Sequence, residues 1–211
     1  MTFSIVIASH GHERWKNLAR RRAWPSAENQ GAEVLVEHDP DGTRAEVRNR
    51  LTEQAKGDWI ITLDADDELD PGYVTAMEDA FRHAVPPVEN WGRQLLLTPA
   101  ISFVRNGRRE RPKFMPEVDL TEANWMVVGT AVPRSLLLEV GGWRTFTGSG
   151  VLNQWDDWDL WMRCVQAGAG IVKVPDAVYV AHVSPSPHYS RTPTISRLWW
   201  NEIRQANGIG G

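Results

Sequence analysis

Strands and helices alternate through the first 84 residues, and this order constrains the fold more than any other feature of the chain. Three short apolar runs have the length and composition of buried strands, namely residues 3–8, 32–38 and 58–64. A helical pattern follows each run: Pro25 is expected to stop the first, Thr43 to cap the second and Gly57 to end it, and Pro71 lies in the first turn of the third. Such alternation predicts an α/β fold with a mostly parallel, Rossmann-like sheet and helices on its faces.

The second half of the chain has a less regular pattern. The pair Asn106-Gly107 predicts a hairpin within 95–115, and further strands are expected at 124–133, 171–175 and 177–183. Helices are expected at 134–143, 156–168 and 195–206. A chain of 211 residues suits a single core. We therefore predict one domain over 1–183, with halves 1–84 and 85–183, followed by a Pro/Ser-rich linker and a terminal helix over 184–211.

Acidic residues follow the third predicted strand, in "IITLDADDELD", where five of the seven residues 64–70 carry a carboxylate. Ligands of parallel sheets bind at the carboxyl ends of the strands, so this cluster faces the expected site. Mg²⁺ and Mn²⁺ prefer oxygen ligands and are usually held by one or two carboxylates together with substrate phosphates. The position predicts a divalent cation carrying a nucleotide diphosphate. The alternative is a solvated acidic loop that caps the next helix.

A second acidic group opens the predicted helix at 156–168, in "WDDWDLW". Asp156 or Asp157 is suited to cap that helix. Neighbouring acids also raise one another's pKa, most strongly where tryptophans reduce hydration, and a raised pKa makes a carboxylate a better general base. The Gly-rich stretch before the helix, "TFTGSGVLNQ", is expected to act as a lid. His182 ends a predicted strand within reach of the same edge.

Composition excludes several classes of protein. A net charge of −4 gives no overall attraction to nucleic acid or anionic membranes, and the single cysteine, Cys164, excludes an internal disulfide. No apolar run approaches the roughly 20 residues of a transmembrane segment, and no basic region precedes the first strand, so we expect a cytoplasmic protein. The 11 tryptophans fill the core or stack on sugar rings. Basic residues at 105–113 form a solvated face or attract an anionic acceptor.

Three motifs in order carry a resemblance to a known family: "LDADD", then "VGGW", then "DDWDLWMRCVQAG". From about Phe3 to His182 the chain resembles inverting glycosyltransferases of the GT-A fold, especially family 2. The resemblance implies a metal-dependent, hexosyltransferase-like enzyme. Such an enzyme moves a sugar from a nucleotide-diphosphate-sugar to an acceptor hydroxyl and inverts the anomeric configuration. It also makes the half 1–84 the nucleotide-sugar-binding half and 85–183 the acceptor-binding half.

The resemblance also implies residues that bind the donor and the cation. Asp64 and Asp66 match the two carboxylates of the family's DxD motif, with Ala65 between them in the nucleotide-sugar site. Asp66 is expected to bind Mn²⁺ or Mg²⁺, with Asp64 beside it and His182 completing the metal site. Arg48, with the asparagine after it, matches an Arg-Asn pair near the diphosphate.

The remaining implied roles concern catalysis, the acceptor and the nucleobase. Asp157 matches the catalytic base, while Asp156 and Trp143 match positions beside the acceptor. Glu37 and Asp39 are candidates for contact with the nucleobase. They lie in "EHDPDG", where the family usually has Asp-Asp-Gly-Ser, and the first strand ends in "SHGH" where many members have a Pro and an Asn.

Several identities stay open at this level. The donor is a UDP-, GDP- or dTDP-sugar, and the acceptor is a glycan, lipid, protein or modified nucleobase. The sequence does not fix the oligomeric state. One alternative function is a non-catalytic sugar-binding module, favoured by the tryptophan content. Another is phosphoryl or nucleotidyl transfer by the DADD carboxylates, although phosphatases with a similar motif carry it on their first strand.

Overall fold

One mixed sheet organises the protein. The structure is a computed structural model that describes residues 1–84, 95–145, 155–183 and 193–209. Within these ranges eight strands join in the order β2-β1-β3-β7-β5-β8-β4, and β6 pairs with β5. The strands are β1 Phe3–His10, β2 Glu33–Asp39, β3 Trp59–Asp64, β4 Glu68–Leu69, β5 Leu95–Arg105, β6 Arg108–Arg109, β7 Ala131–Pro133 and β8 Gly170–Val183.

Helices cover both faces of this sheet. They are α1 Glu13–Leu18, which continues through a π-helical segment Ala19–Ala23 into α2 Trp24–Glu28, then α3 Arg44–Gln54, α4 Tyr73–Ala84, α5 Arg134–Glu139, α6 Asp156–Gln166 and α7 Pro193–Ala206. In the described part of the chain, no helix has the length and apolar character that crossing a membrane requires.

The sheet consists of two parallel groups joined by one short strand. In the first group β1 lies parallel to β2 and β3, as the βαβ pattern predicts. In the second group β5 lies parallel to β8. Strand β7 runs antiparallel to both β3 and β5 and connects the groups. The predicted α/β architecture is confirmed, with the parallel character concentrated in these two groups.

The core occupies both faces of the sheet, which explains why the strands read as continuous apolar runs. Along β1, Ile5 and Ile7 pack with α4 and the helix after β1, whereas Val6 packs on the opposite face with α3 and α6. Trp161 of α6 is fully buried in this second cluster. Much of the unusual tryptophan content is therefore used for packing.

Pro25 does not stop the first helix, contrary to the sequence prediction. It lies in the first turn of α2, directly after the π-helical segment, and the chain stays helical to Glu28. Proline is tolerated in a first turn because the N–H that it lacks has no intrahelical acceptor there. Other local predictions are confirmed: Thr43 and Glu46 form a capping box on α3, and Asn106 and Gly107 both adopt positive φ in the hairpin turn.

Three further local predictions differ from the structure. Of the predicted strand 124–133 only Ala131–Pro133 pairs in the sheet, because Trp125, Met126 and Val127 are buried by side-chain packing without a ladder. The two strands predicted at 171–183 are one strand with a bulge opposite Pro99/Ala100. Helix α3 ends at Gln54 rather than at Gly57, whose missing side chain lets the backbone of Ser4 approach.

The terminal helix docks on α6. Ile203 of α7 is fully buried, and the Asn207 side chain donates a hydrogen bond to Asp159 at 3.0 Å. The Trp200 indole donates to the carbonyl of Glu122. Helix α7 therefore contacts both α6 and the loop before β7.

Candidate active site

The carboxyl ends of β1, β2 and β3 lie at one edge of the sheet. The register pairs Ala8 with Asp64 and His10 with Asp39 across neighbouring parallel strands. Because these ends coincide, the loops that follow them face the same space. The acidic loop after β3 is therefore placed where parallel sheets bind their ligands.

Most carboxylates of this acidic loop have partners. Asp64 accepts from the Arg48 guanidinium at 2.6 Å. Asp67 accepts from the Tyr179 hydroxyl and from the backbone N–H of His182, each at 2.8 Å. The same Tyr179 oxygen accepts the backbone N–H of Asp64 at 3.2 Å. Glu68 binds the His182 ring, so strand β8 holds much of the loop in place.

Asp66 is the exception in the loop. Apart from its own backbone N–H, its half-buried carboxylate has no hydrogen-bond or ion-pair partner among the described residues. Burial, together with the charge of Asp64, raises the pKa of Asp66 to about 6. A carboxylate of this kind is suited to a cation that the protein itself does not supply.

A cation site fits this donor set. Within the described ranges, no group of three or more His, Cys, Asp or Glu side chains is arranged to hold a metal ion. A hard cation needs only one or two carboxylates when substrate phosphates complete its shell. Asp66 meets this need, with Asp64 as its neighbour, whereas His182 is bound through Nε2 to Glu68. His182 would have to leave Glu68 to serve as the third ligand that the sequence predicted.

Arg48 lies between the two acidic groups. It is 1% exposed, with Nη2 2.6 Å from Asp64 and Nη1 2.8 Å from Asp156 Oδ2. Its guanidinium carbon lies 4.1 Å from the centre of the Trp143 ring. Arg44 adds a second contact to Asp156 at 2.8 Å. The predicted diphosphate-binding arginine is thus committed to two carboxylates.

The two acids at the start of α6 have opposite environments. Asp156 is buried with both oxygens bound by Arg44 and Arg48. Asp157 has no ion pair in the described structure; it accepts from Asn124 at 3.1 Å and from the N–H of Trp158 at 2.8 Å. Burial, together with the charge of Asp156, raises the pKa of Asp157 to about 6. Asp157 therefore has the character of a general base at neutral pH.

Two predicted acceptor contacts have buried environments instead. Asp156 faces the arginines, and neither it nor Asp157 caps α6: the N-cap residue is Trp155, which makes no side-chain capping bond. Trp143 is 3% exposed, and its backbone is held at N and O by the Asn49 side chain at 2.8 Å. Gly142 has φ +66°, and a Cβ there would lie 2.5 Å from Asn49 Oδ1. The "GGW" motif thus fixes a turn against α3.

The residues predicted to contact a nucleobase are joined by one arginine. Arg50 donates to Glu37 at 2.7 Å and to Asp39 at 2.8 Å. Asp39 also accepts the N–H groups of Asp41 and Gly42, which lowers its pKa. Both acids lie at the end of β2, but their charges are directed to Arg50. Ala65 is buried in the core beneath the loop.

Sequence reasoning missed several residues of this site. Arg44, Asn124 and Tyr179 contact the predicted acids from distant elements, and Arg22 donates to the carbonyl of Asp66 at 2.7 Å. The only sequence signal for Arg44 was its place one helical turn before Arg48. Residues 146–154, which include most of the predicted lid, lie outside the described residues.

Comparison with solved structures places this architecture among known proteins. Residues 1–349 of S. aureus TarS in complex with UDP-GlcNAc are 16% identical, with a TM-score of 0.63, over 99% of this chain and 66% of that one. The same TarS fragment without a stated ligand is 15% identical, with a TM-score of 0.61, over 99% of this chain and 65% of that one. GalNAc-T7 with UDP, GalNAc and Mn²⁺ is 14% identical, with a TM-score of 0.56, over 97% of this chain and 48% of that one.

These likenesses show a shared GT-A fold, and the chain spans about two thirds or less of the length of each of these structures. No curated protein sequence matches the chain. A family model described as "Glycosyltransferase like family 2" matches residues 16–207, which include both acidic motifs and the whole of helix α7. The chain belongs to the glycosyltransferase family 2-like proteins.

Proposed function

We propose that the protein transfers a sugar from a nucleotide-diphosphate-sugar to an acceptor hydroxyl with inversion at the anomeric carbon. One observation carries the proposal: each acidic motif keeps one half-buried carboxylate that forms no ion pair among the described residues, whereas Asp67, which also has none, is buried and bound by Tyr179. The two half-buried carboxylates are Asp66 in the loop after β3 and Asp157 at the start of α6. The neighbouring acids, Asp64 and Asp156, both form ion pairs with Arg48, and Asp156 also pairs with Arg44.

The chemistry follows from this division. Asp157 accepts the proton of the acceptor hydroxyl as the oxygen forms its bond to the anomeric carbon, and the bond from that carbon to the diphosphate oxygen breaks. Attack from the face opposite the leaving group inverts the configuration in one displacement. Asp66, with Asp64 beside it, would hold Mn²⁺ or Mg²⁺. That ion, when bound, stabilises the charge that develops on the departing diphosphate.

The donor is a UDP-sugar in this proposal, with GDP- and dTDP-sugars as alternatives. Support comes from the structural neighbours, whose complexes contain UDP-GlcNAc in one case and UDP with Mn²⁺ in another. The acceptor is a hydroxyl of a glycan, lipid, protein or modified nucleobase. A phosphatase-like role for Asp64 has less support, because its carboxylate is held by Arg48.

Titration calorimetry with UDP, GDP and dTDP, each with and without Mn²⁺ or Mg²⁺, tests the proposal. We expect metal-assisted binding of one nucleoside diphosphate by the native protein and its loss in Asp66→Asn. Asp79→Asn, which changes an exposed acid on α4, should bind like the native protein. Metal-independent glycan binding without nucleotide affinity would identify a sugar-binding module. Pyrophosphate release from a nucleoside triphosphate would identify a nucleotidyltransferase. Either result overturns the proposal.

A further inference from the structure

The π-helical segment Ala19–Ala23 contains Arg22, whose side chain contacts the acidic loop. It interrupts an otherwise α-helical stretch between Glu13 and Glu28. A π-helical turn inside an α-helix is rare and is frequently found at functional sites. From this turn Arg22 reaches across 44 residues of sequence, and its Nη1 donates to the backbone carbonyl of Asp66 at 2.7 Å.

Arg22 differs from the other arginines at this edge of the sheet because its charge is not paired with any carboxylate that the structure describes. Arg44 and Arg48 face Asp156, Arg50 faces Glu37 and Asp39, and Arg109 faces Asp70. Arg22 forms no ion pair with any carboxylate in the described part of the chain, and the Asp66 carbonyl is its one hydrogen-bond partner there. A guanidinium has five N–H donors, so most of its capacity stays available to a ligand.

The charge of Arg22, which is unpaired within the described residues, lies beside Asp66, the proposed cation ligand. The guanidinium is half-buried and binds the carbonyl of the residue whose carboxylate is the proposed cation ligand. It does not pair with that carboxylate, so Asp66 stays available to a metal while a positive charge stands beside it. An anion bound at the cation would meet both charges. The planar fork of arginine matches phosphate oxygens in a bidentate arrangement.

We infer that Arg22 binds the diphosphate of the nucleotide-sugar and carries part of its negative charge as the sugar departs. This inference rests on the proposed function, because it needs a nucleoside diphosphate at Asp66. The inference also predicts a selectivity. A nucleoside monophosphate lacks the β-phosphate, to which the transferred sugar is attached, so Arg22 should add little to its affinity. Arg48, which the sequence placed near the diphosphate, is instead occupied by Asp64 and Asp156.

Calorimetry with a matched pair of nucleotides tests the inference. The probe is whichever of UDP, GDP or dTDP binds the native protein best with Mn²⁺, compared with its own monophosphate. Arg22→Gln removes the charge and, because its side chain is shorter, also the donor that Nη1 offers to the Asp66 carbonyl. We expect this variant to bind the diphosphate about tenfold or more weakly, which is the size expected for a charge-assisted hydrogen bond. Its affinity for the monophosphate should stay within about twofold of the native value.

Two further variants complete the experiment. Arg20→Gln removes an exposed charge from the same π-helical segment and should change neither affinity. Arg22→Lys keeps the charge without the fork and should give an intermediate loss for the diphosphate alone, which tests the inference if Arg22→Gln fails to fold. Equal weakening of both nucleotides, or unchanged diphosphate binding, overturns the role of Arg22 alone. If the native protein binds no nucleoside diphosphate, the proposed function fails and the inference fails with it.

Discussion

Asp64 and Asp156, which are 92 positions apart in the sequence, bind the same guanidinium: Arg48 lies 2.6 Å from the first and 2.8 Å from the second. Asp64 belongs to the loop of the proposed donor site, and Asp156 opens the helix that carries the proposed base. Arg48 therefore ties the donor side of the site to the acceptor side. The Trp143 ring, whose centre lies 4.1 Å from the guanidinium carbon, adds a cation–π contact to these two ion pairs.

Removing this arginine should destabilise the protein. Arg48→Met leaves Asp156 dependent on Arg44 and leaves Asp64 without its ion pair, and breaking a buried pair costs about 3–5 kcal/mol. We expect a loss of that order in the free energy of unfolding, measured with urea. Arg82→Met removes two ion pairs, to Glu78 and Asp79, on the exposed face of α4 and should cost less than about 1 kcal/mol. Similar losses for both variants would contradict the buried role of Arg48.

Removing the proposed base, Asp157, should reduce the rate of sugar transfer without reducing nucleotide affinity. Asp157→Asn keeps the shape of the side chain and can still accept one of the two hydrogen bonds from Asn124 and Trp158, but it cannot accept the proton of the acceptor hydroxyl. General-base catalysis contributes about 10²–10⁴-fold, so we expect sugar transfer to fall by at least about 100-fold. Nucleoside diphosphate affinity should stay within about twofold. Transfer at the native rate would show that another group removes the proton.

The pH dependence of transfer should report the same carboxylate. Burial and the charge of Asp156 raise the pKa of Asp157 to about 6, and only the ionised form accepts a proton. The acceptor kcat/KM should therefore be constant above about pH 7 and fall about tenfold per unit below pH 6. An ordinary carboxylate would keep the plateau down to about pH 4. A plateau that extends below pH 5 would show that Asp157 is not the titrating base.

Asn124 gives a second way to move this pKa. Its amide orientation is fixed because Oδ1 accepts the N–H of Met126, which leaves Nδ2 to donate to Asp157. Asn124→Asp places a like charge within hydrogen-bonding distance and should raise the pKa of Asp157 further. The acidic limb of the pH–rate profile should then move to higher pH. Glu122→Gln changes a charge in the same loop without contact to Asp157 and should leave the limb in place.

Local pattern predicted the first half of the fold well because each βα unit is determined within a few tens of residues. Thr43 and Glu46 cap α3 through contacts three residues apart, and Asn106-Gly107 turns a hairpin by itself. The role of β7 was not predictable in this way. Its three residues join two parallel groups through pairing with strands that are distant in sequence.

The same limit applies to the site, where residues were predictable from local spacing but their contacts with distant residues were not. The acids were identifiable from their spacing, but their partners were not, because the pairs that distinguish them span long stretches of chain. Tyr179 reaches Asp67 across 112 residues, and Arg48 reaches Asp156 across 108. The sequence could therefore predict which residue types gather at the edge. It could not predict which carboxylates would be neutralised, and the proposed chemistry depends on that distinction.

The acids of "DDWD" should accordingly differ when each is neutralised. Asp159 is fully buried, and its oxygens meet Arg163, Arg144 and Asn207. Asp159→Asn would leave the 6%-exposed Arg163 without its carboxylate, and we expect a loss of about 3–5 kcal/mol in urea unfolding.

Asp157→Asn should change the free energy of unfolding far less. Because the folded pKa of Asp157 lies above the ordinary value, its ionised form lowers stability as the pH rises from about 4 to about 6. At pH 7 the neutral amide removes this cost but also gives up one of the two hydrogen bonds that the carboxylate accepts, so its stability should stay close to that of the native protein. A protein that is inactive yet undiminished in stability is the result expected for a residue kept for chemistry, and a large loss of stability in Asp157→Asn would show that Asp157 has a structural role like that of Asp159.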